Sequence, residues 1–403
     1  MSDLTPSQPA TSEPLVVIGA GLAGWTTVRE FRKLDTTTPV VLVTADSGDF
    51  YAKPTLSNAY AQKRTPAQLV STPAAKMVET LNVTLLAHSR VQSLDTTTQT
   101  VEVTQNGQAQ TLRYRRLVLA TGALPIRIPV AGAAADQVKS INNLDDFGVF
   151  HQALGVDPGA AEPAAPKTVL IMGAGLIGCE FANDLVHAGA TVHVVDPASR
   201  PLSLLLPAEA GDQLKAALET LGVVWHFGTT VTAVDVADGG LNVQLADGSS
   251  VAAHMVLSAI GLRADTTLAT AAGLVCERGI VVDDMLQTSA PGVYALGDCA
   301  QYASAGQRTL PYVMPIMNAA RALAATLAGT PTTLVFPLMP VSIKTPALPI
   351  VVAAAHPALA GAWKAGDGEG IWQFTDGDGI QHGFVLTGKS TARRMEQSKA
   401  TKA

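Results

Sequence analysis

Two near-copies of one strand–turn–helix pattern, further apolar strands between them, and a change of texture near residue 330 predict an α/β protein: two similar units and a small C-terminal α+β domain. The first copy runs Leu15-Val16-Val17-Ile18 into Gly19-Ala20-Gly21-Leu22-Ala23-Gly24. The second runs Val169-Leu170-Ile171-Met172 into Gly173-Ala174-Gly175-Leu176-Ile177-Gly178. Each places a GxGxxG turn between a strand and a helix, and a second strand follows each helix, at 40–43 and at 191–195. Such alternation builds a parallel sheet covered by helices, and the glycine turns make both units Rossmann-like. Residues 330–347 carry several prolines and read as a boundary. Beyond them 350–352, 371–374 and 383–386 read as strands, with a turn at 376–379.

A chain of 403 residues is too long for one ordinary core, which agrees with two or three domains. With 47% hydrophobic and 15% charged residues it is globular, and a formal charge of -6 argues against a general role on nucleic acid or anionic membrane. Its apolar runs all fall short of the roughly 18 residues of a membrane helix. Residues 1–14 lack a charged-then-apolar signal pattern and read as a loose tail, so a cytoplasmic protein without membrane insertion is expected. The Ala-, Pro- and Gly-rich stretch 155–166 reads as a surface loop, and Leu241, Val243 and Leu245 before Asp247-Gly248 as a hairpin continued by Val251. The chain from about Ser390 is expected to fray.

The glycines have separate duties. Gly19 and Gly173 allow the tight turn, Gly21 and Gly175 let backbone approach a pyrophosphate, and Gly24 and Gly178 let helix pack on sheet. The helix N-terminus then offers free N–H groups to the phosphates. Asp196, at the end of the second strand of the second unit, can take both ribose hydroxyls of a bound dinucleotide and repel a 2′-phosphate; nearby Arg200 blurs that preference. In the first unit the matching strand ends at Thr44, and Asp46, two residues on, is the candidate for the adenosine ribose. The cysteines, Cys179, Cys276 and Cys299, form no CxxC pair and read as packing residues. None of the eight histidines falls in a spacing such as HxxxH, and no metal is expected.

Three further segments carry a resemblance. Residues 288–298 end a strand in Gly297-Asp298, Ala120-Thr121-Gly122 follows the strand 117–119, and Ser258-Ala259-Ile260-Gly261-Leu262-Arg263 lies between them. With the glycine turns, these resemble the FAD and crossover fingerprints of the pyridine-nucleotide-disulfide-reductase superfamily. The resemblance implies an FAD domain, 14–124 and 262–330, split by an inserted NAD(P)H domain, 125–261, with a small domain at 335–390. It implies FAD on the first unit, with Asp298 on the ribityl chain, and NADH on the second, their reactive rings meeting. The disulfide reductases of that superfamily carry a CxxxxC or CxxC pair beside the flavin, which this chain lacks, so its flavin is expected to discharge directly to a partner.

Tyr51-Ala52-Lys53-Pro54-Thr55-Leu56-Ser57 resembles the YxRPxLS segment of ferredoxin reductases, and more closely the YxKPxLS of bacterial rubredoxin reductases. Residues 173–183 (GAGLIGCEFAN), 339–346 (MPVSIKTP) and 311–315 (PYVMP) match the latter pattern too. This implies hydride transfer from NADH to the flavin N5, then two single-electron transfers to rubredoxin, supplying alkane hydroxylation. Lys53 and Glu180 become the candidates for the flavin's surroundings, with Pro54 and Lys344 as further flavin contacts, and Lys53, Lys344 and Arg64 as a basic patch facing an acidic rubredoxin. The short C-terminal domain suggests a monomer. A ferredoxin reductase of an oxygenase system is the nearest alternative, although Asn58 stands where those enzymes usually have Lys. A type II NADH:quinone oxidoreductase would want an amphipathic anchor that the polar tail 389–403 does not offer. From another class, a nucleotide-binding redox sensor would not need both glycine turns and the Gly-Asp pair intact.

Overall fold

The computed structural model of the chain describes residues 13–155 and 166–402. The segment 156–165, within the expected surface loop, and residues 1–12 of the expected tail lie outside the described residues. The chain forms two compact units: one comprises the described residues up to Tyr51 with Ser71–Ala123 and Arg263–Phe336, the other Ala52–Val70, Leu124–Leu262 and the described part of Pro337–Ala403.

The first unit is built on a five-stranded parallel sheet in the order Val293–Ala295, Arg116–Leu119, Leu15–Ile18, Val40–Val43, Thr84–Leu86. Its strands are almost wholly apolar because both faces are covered, the pattern of a buried parallel sheet. Helices Leu22–Arg32 and Val313–Leu327 pack against each other beside it. Trp25 and Phe31 of the first helix are buried, each contributing about 2–3 kcal/mol of apolar burial. A three-stranded antiparallel sheet, Ser89–Asp95, Thr100–Gln105 and Gln108–Arg113, completes this unit's larger β structure. The edge strand Val293–Ala295 comes from beyond the second glycine turn in sequence, so the first fold is split by an inserted one.

The second unit repeats the design in the order Val224–Phe227, Thr191–Asp196, Thr168–Met172, Met255–Ser258, Val138–Lys139, again all parallel. The expected hairpin is present as Gly240–Leu245 with Ser250–Ala253, extended by Val231–Ala237. The chain after residue 337 forms an antiparallel sheet, Val341–Ile343, Ile350–Ala353, Gln381–Thr387, Ile371–Thr375, Ala362–Ala365. Val341–Ile343 lies inside the stretch read as a boundary, and Ala362–Ala365 was not foreseen: its sequence, AWKA, has little apolar periodicity and its residues are largely exposed.

The expected fraying after Ser390 is wrong. Gly388–Arg393 forms a 3-10 turn and Arg394–Ala400 a helix. Buried Gln381 donates to Thr401 Oγ1 at 2.7 Å and to Gln397 Oε1 at 3.2 Å, and Gln373 donates to the same Gln397 oxygen at 2.9 Å. The helix is held by polar partners on the sheet, which an apolar-periodicity reading does not register. No helix among the described residues is long and apolar enough to cross a membrane.

Candidate cofactor and electron-transfer site

In the first unit the strand order reverses at Leu15–Ile18: its two sides continue to Val40–Val43 and to Arg116–Leu119. A crevice at the carboxyl end of such a switch point is where doubly wound sheets bind ligands. The glycine turn leaves from that end. Gly19 has φ +109°, and a Cβ there would lie 2.2 Å from the Ala120 carbonyl oxygen. A Cβ at Gly24 would lie 1.8 Å from the Gly19 carbonyl oxygen, so helix and turn touch through their backbones. At Gly21 a Cβ would meet nothing within 4 Å. The helix starting at Leu22 has no side-chain cap and no acidic residue in its first turn. Open space before uncapped N–H groups fits a pyrophosphate.

The second turn repeats this geometry. Gly173 has φ +104° with a Cβ position 2.7 Å from Ala259 O, Gly178 meets Gly173 O at 2.0 Å, and Gly175 faces open space. The helix Leu176–His187 is equally uncapped, with no acidic residue in its first turn. Asp196 ends the neighbouring strand; its Oδ2 accepts the Ala174 N–H at 2.6 Å and its Oδ1 the Ala198 N–H at 2.8 Å. It therefore braces the glycine turn at the place where a ribose would be read. Arg200 turns towards Ser203 O at 3.5 Å and packs on Gly211. Gly261, beyond the strand Met255–Ser258, accepts the Ile126 N–H at 3.0 Å.

The remaining candidates of the first unit are anchored by short local bonds. Asp46 Oδ1 accepts from Thr44 Oγ1 at 2.7 Å and from the Gly48 N–H at 2.9 Å, and Trp25 Nε1 donates to Gly48 O at 2.9 Å. Thr121 Oγ1 donates to Asp265 O at 2.8 Å, while Gly122 O accepts the Asp265 N–H at 3.0 Å. Gly297 and Asp298 open a 3-10 turn, and the Gly297 N–H donates to the buried Tyr302 hydroxyl at 2.7 Å. Asp265 and Tyr302 were not singled out in the sequence, because a backbone acceptor and a distant hydroxyl leave no motif.

Lys53, Pro54, Glu180 and Lys344 all lie in the second unit, the first two opening the 3-10 segment Lys53–Asn58. Lys53 Nζ donates to Asn142 Oδ1 at 2.6 Å. Glu180 is wholly buried. Its Oε2 accepts from Ser57 Oγ at 2.6 Å and from Lys344 Nζ at 2.5 Å, and its Oε1 accepts the Lys344 N–H at 2.9 Å. The carboxylate is thus enclosed with a cation and a hydroxyl, which offset the cost of removing it from water. Of the three expected patch cations, Lys344 faces Glu180, Lys53 faces Asn142, and Arg64 is exposed. Ser57 and Asn142 were not proposed as site residues; Ser57 stood inside a quoted motif, while Asn142 carried no signal.

Cys179 and Cys299 are buried, and burial pushes both thiols up. Cys179 Sγ donates to Ala174 O and Cys299 Sγ to Leu119 O and Leu296 O. Both behave as small packing residues rather than thiolate nucleophiles.

Residues 13–324 match the family described as pyridine nucleotide-disulphide oxidoreductase, and residues 333–401 match a rubredoxin binding C-terminal domain. A rubredoxin-NAD(+) reductase of Alcanivorax borkumensis is 43% identical over 390 residues, covering 96% of this chain and 98% of that protein. A nitric oxide reductase FlRd-NAD(+) reductase of Aeromonas salmonicida is 40% identical over 354 residues, 88% of this chain and 87% of its own length. Among solved structures, the reductase of a covalent putidaredoxin reductase–putidaredoxin complex shares the fold, with a TM-score of 0.84 at 24% identity over 97% of this chain and 93% of that one.

Proposed function

Because the chain belongs to the pyridine nucleotide-disulphide oxidoreductase family, we infer that it is an FAD-dependent enzyme carrying electrons from NADH to rubredoxin. The observation that carries this reading is the end-to-end likeness to a rubredoxin-NAD(+) reductase together with the rubredoxin-binding match at residues 333–401. Bound FAD supplies a carrier that takes two electrons as a pair and yields them singly.

The chain's own residues bind and orient. The Gly19–Gly24 turn and the N-terminus of helix Leu22–Arg32 receive the FAD pyrophosphate, with Asp46 on the adenosine side and Thr121, Gly122, Gly297 and Asp298 along the rest of the molecule. The Gly173–Gly178 turn does the same for NADH, Asp196 favours the unphosphorylated ribose, and Gly261 lines the return crossover. Lys53, Pro54, Glu180 and Lys344 would contact the flavin or the nicotinamide, and a cation there would favour an anionic reduced flavin. Electrons leave without a thiol relay, because no two cysteines are spaced as a redox pair and two of the three are buried. A cytoplasmic site of action fits NADH as donor, and rubredoxin as acceptor fits a supply of electrons to alkane hydroxylation.

Anaerobic stopped-flow of the flavin-loaded protein tests the reading. NADH is expected to bleach the flavin band, and rubredoxin to restore it with about two rubredoxins reduced per NADH. Preference for a [2Fe–2S] ferredoxin over rubredoxin would replace the partner, and an unbleached flavin would remove the enzyme.

A further inference from the structure

Helix Leu176–His187 buries three polar side chains on one side: Glu180, Asn183 and Asp184, exposed by 0%, 1% and 1%. Positions i, i+3 and i+4 share one helix face. Enclosing two carboxylates and an amide is costly unless each finds partners. Glu180 has Ser57 and Lys344. Its two neighbours take backbone N–H groups: Asn183 Oδ1 accepts from Ala347 at 3.0 Å, and Asp184 accepts from Ala61 at 2.7 Å and from Tyr60 at 3.1 Å. A side chain bonded to backbone N–H groups fixes the course of the main chain.

The two bonded segments differ. Ala347 belongs to residues 333–401, the rubredoxin-binding portion, three residues from Lys344. Tyr60 and Ala61 follow the 3-10 segment that opens with Lys53. A second tie of the C-terminal sheet runs from Thr387 Oγ1 to Gln213 Oε1 at 2.8 Å, on helix Ala208–Thr220.

We propose that Asn183 and Asp184 are positioning residues with separate duties: Asn183 seats the rubredoxin-binding portion through Ala347, and Asp184 seats the Lys53 segment through the 60–61 turn. Hydrogen bonds act over one contact, so losing the Asn183 bond frees the backbone at Ala347 while Glu180 still holds Lys344 and Asp184 and Ser57 still hold 57–61. The inference rests on the rubredoxin reading above.

The test uses full-length, flavin-loaded protein with NADH and two acceptors: rubredoxin, which needs the C-terminal portion, and ferricyanide, which does not. Asn183→Ala is expected to raise the rubredoxin KM about fivefold, the worth of one buried hydrogen bond, with ferricyanide turnover unchanged. Asn183→Asp keeps an accepting oxygen and is expected to recover part of the rubredoxin KM relative to Asn183→Ala, less than fully because it adds a third buried carboxyl beside Glu180 and Asp184. Asp184→Asn is expected to lower turnover with both acceptors and leave the rubredoxin KM unaltered. An unchanged rubredoxin KM in Asn183→Ala, or an equal loss with both acceptors, overturns the proposal. Should Asp184→Asn not accumulate folded, hydrogen exchange of the parent decides for that residue: the Tyr60 and Ala61 amides must be as protected as helix amides, and fast exchange there overturns its role. A parent protein that bleaches with NADH yet never reduces rubredoxin strikes the functional reading instead, and the exchange measurement still judges Asp184.

Discussion

At Gly21 a methyl group would meet nothing within 4 Å, whereas at Gly24 it would fall 1.8 Å from the Gly19 carbonyl oxygen. The two glycines of one motif are therefore required for different reasons, one for the ligand and one for the fold. Gly21→Ala is expected to give a protein with near-parental Tm that has lost most of its flavin absorbance. Gly24→Ala is expected to lower Tm as well, because the helix must move away from the Gly19 turn. Equal flavin content in Gly21→Ala and the parent would show that the open space is not where the pyrophosphate lies. Buried polar residues follow the same logic: Glu180 has its cation and hydroxyl, Gln381 its amide and hydroxyl, and Tyr302 the Gly297 backbone.

Turns between elements carry stability that the elements do not. After helix Leu22–Arg32, Asp35 accepts the Thr37 and Thr38 N–H groups at 2.8 and 2.9 Å and the Thr38 hydroxyl at 2.5 Å, setting the approach to strand Val40–Val43. These bonds, led by the Thr38 hydroxyl, hold its carboxyl well below the usual carboxylate range. A depressed pKa means the folded state favours the ionised form. The stabilisation is full above the unfolded pKa of about 3.9 and is lost as pH falls towards the folded value. Asp35→Ala is expected to lower Tm at neutral pH, with the gap to the parent closing below about pH 3. A gap that stays constant across that range, in thermal melts against pH, would show that the charged form is not what holds the turn.

Across the whole molecule, electron flow is expected to bypass sulfur. Cys179 and Cys299 are buried with raised pKa values, and Cys276 is half-buried on its own. Replacing all three cysteines by alanine is expected to leave NADH-to-rubredoxin turnover within about twofold of the parent, with at most a modest loss of Tm from the vacated volume. A collapse of turnover in a folded, flavin-loaded variant would reinstate a thiol step. Under native conditions, a thiol reagent is expected to modify Cys276 first, since the thiolate is the reactive form and burial suppresses it in the other two.

The amino-acid order alone determined both glycine turns, their flanking strands and the reductase family, because each is written in contiguous residues with a fixed period or spacing; that one fold is split by another followed only from the family resemblance, and in the structure the strand Val293–Ala295 pairs back onto Arg116–Leu119. Lys53, Glu180 and Lys344 could be named from their motifs as well. Only the tertiary structure decided that Glu180 is enclosed with Ser57 and Lys344, that Lys53 meets Asn142, and that Asn183 and Asp184 seat two segments of backbone. It also decided that the chain end is a docked helix, since Gln397 and Thr401 answer buried Gln381 and present no apolar stripe of their own. Such pairings join residues up to 164 positions apart through hydrogen bonds to single atoms, often of the backbone. Local periodicity encodes which face of an element is buried; it does not encode which distant polar atom meets it there.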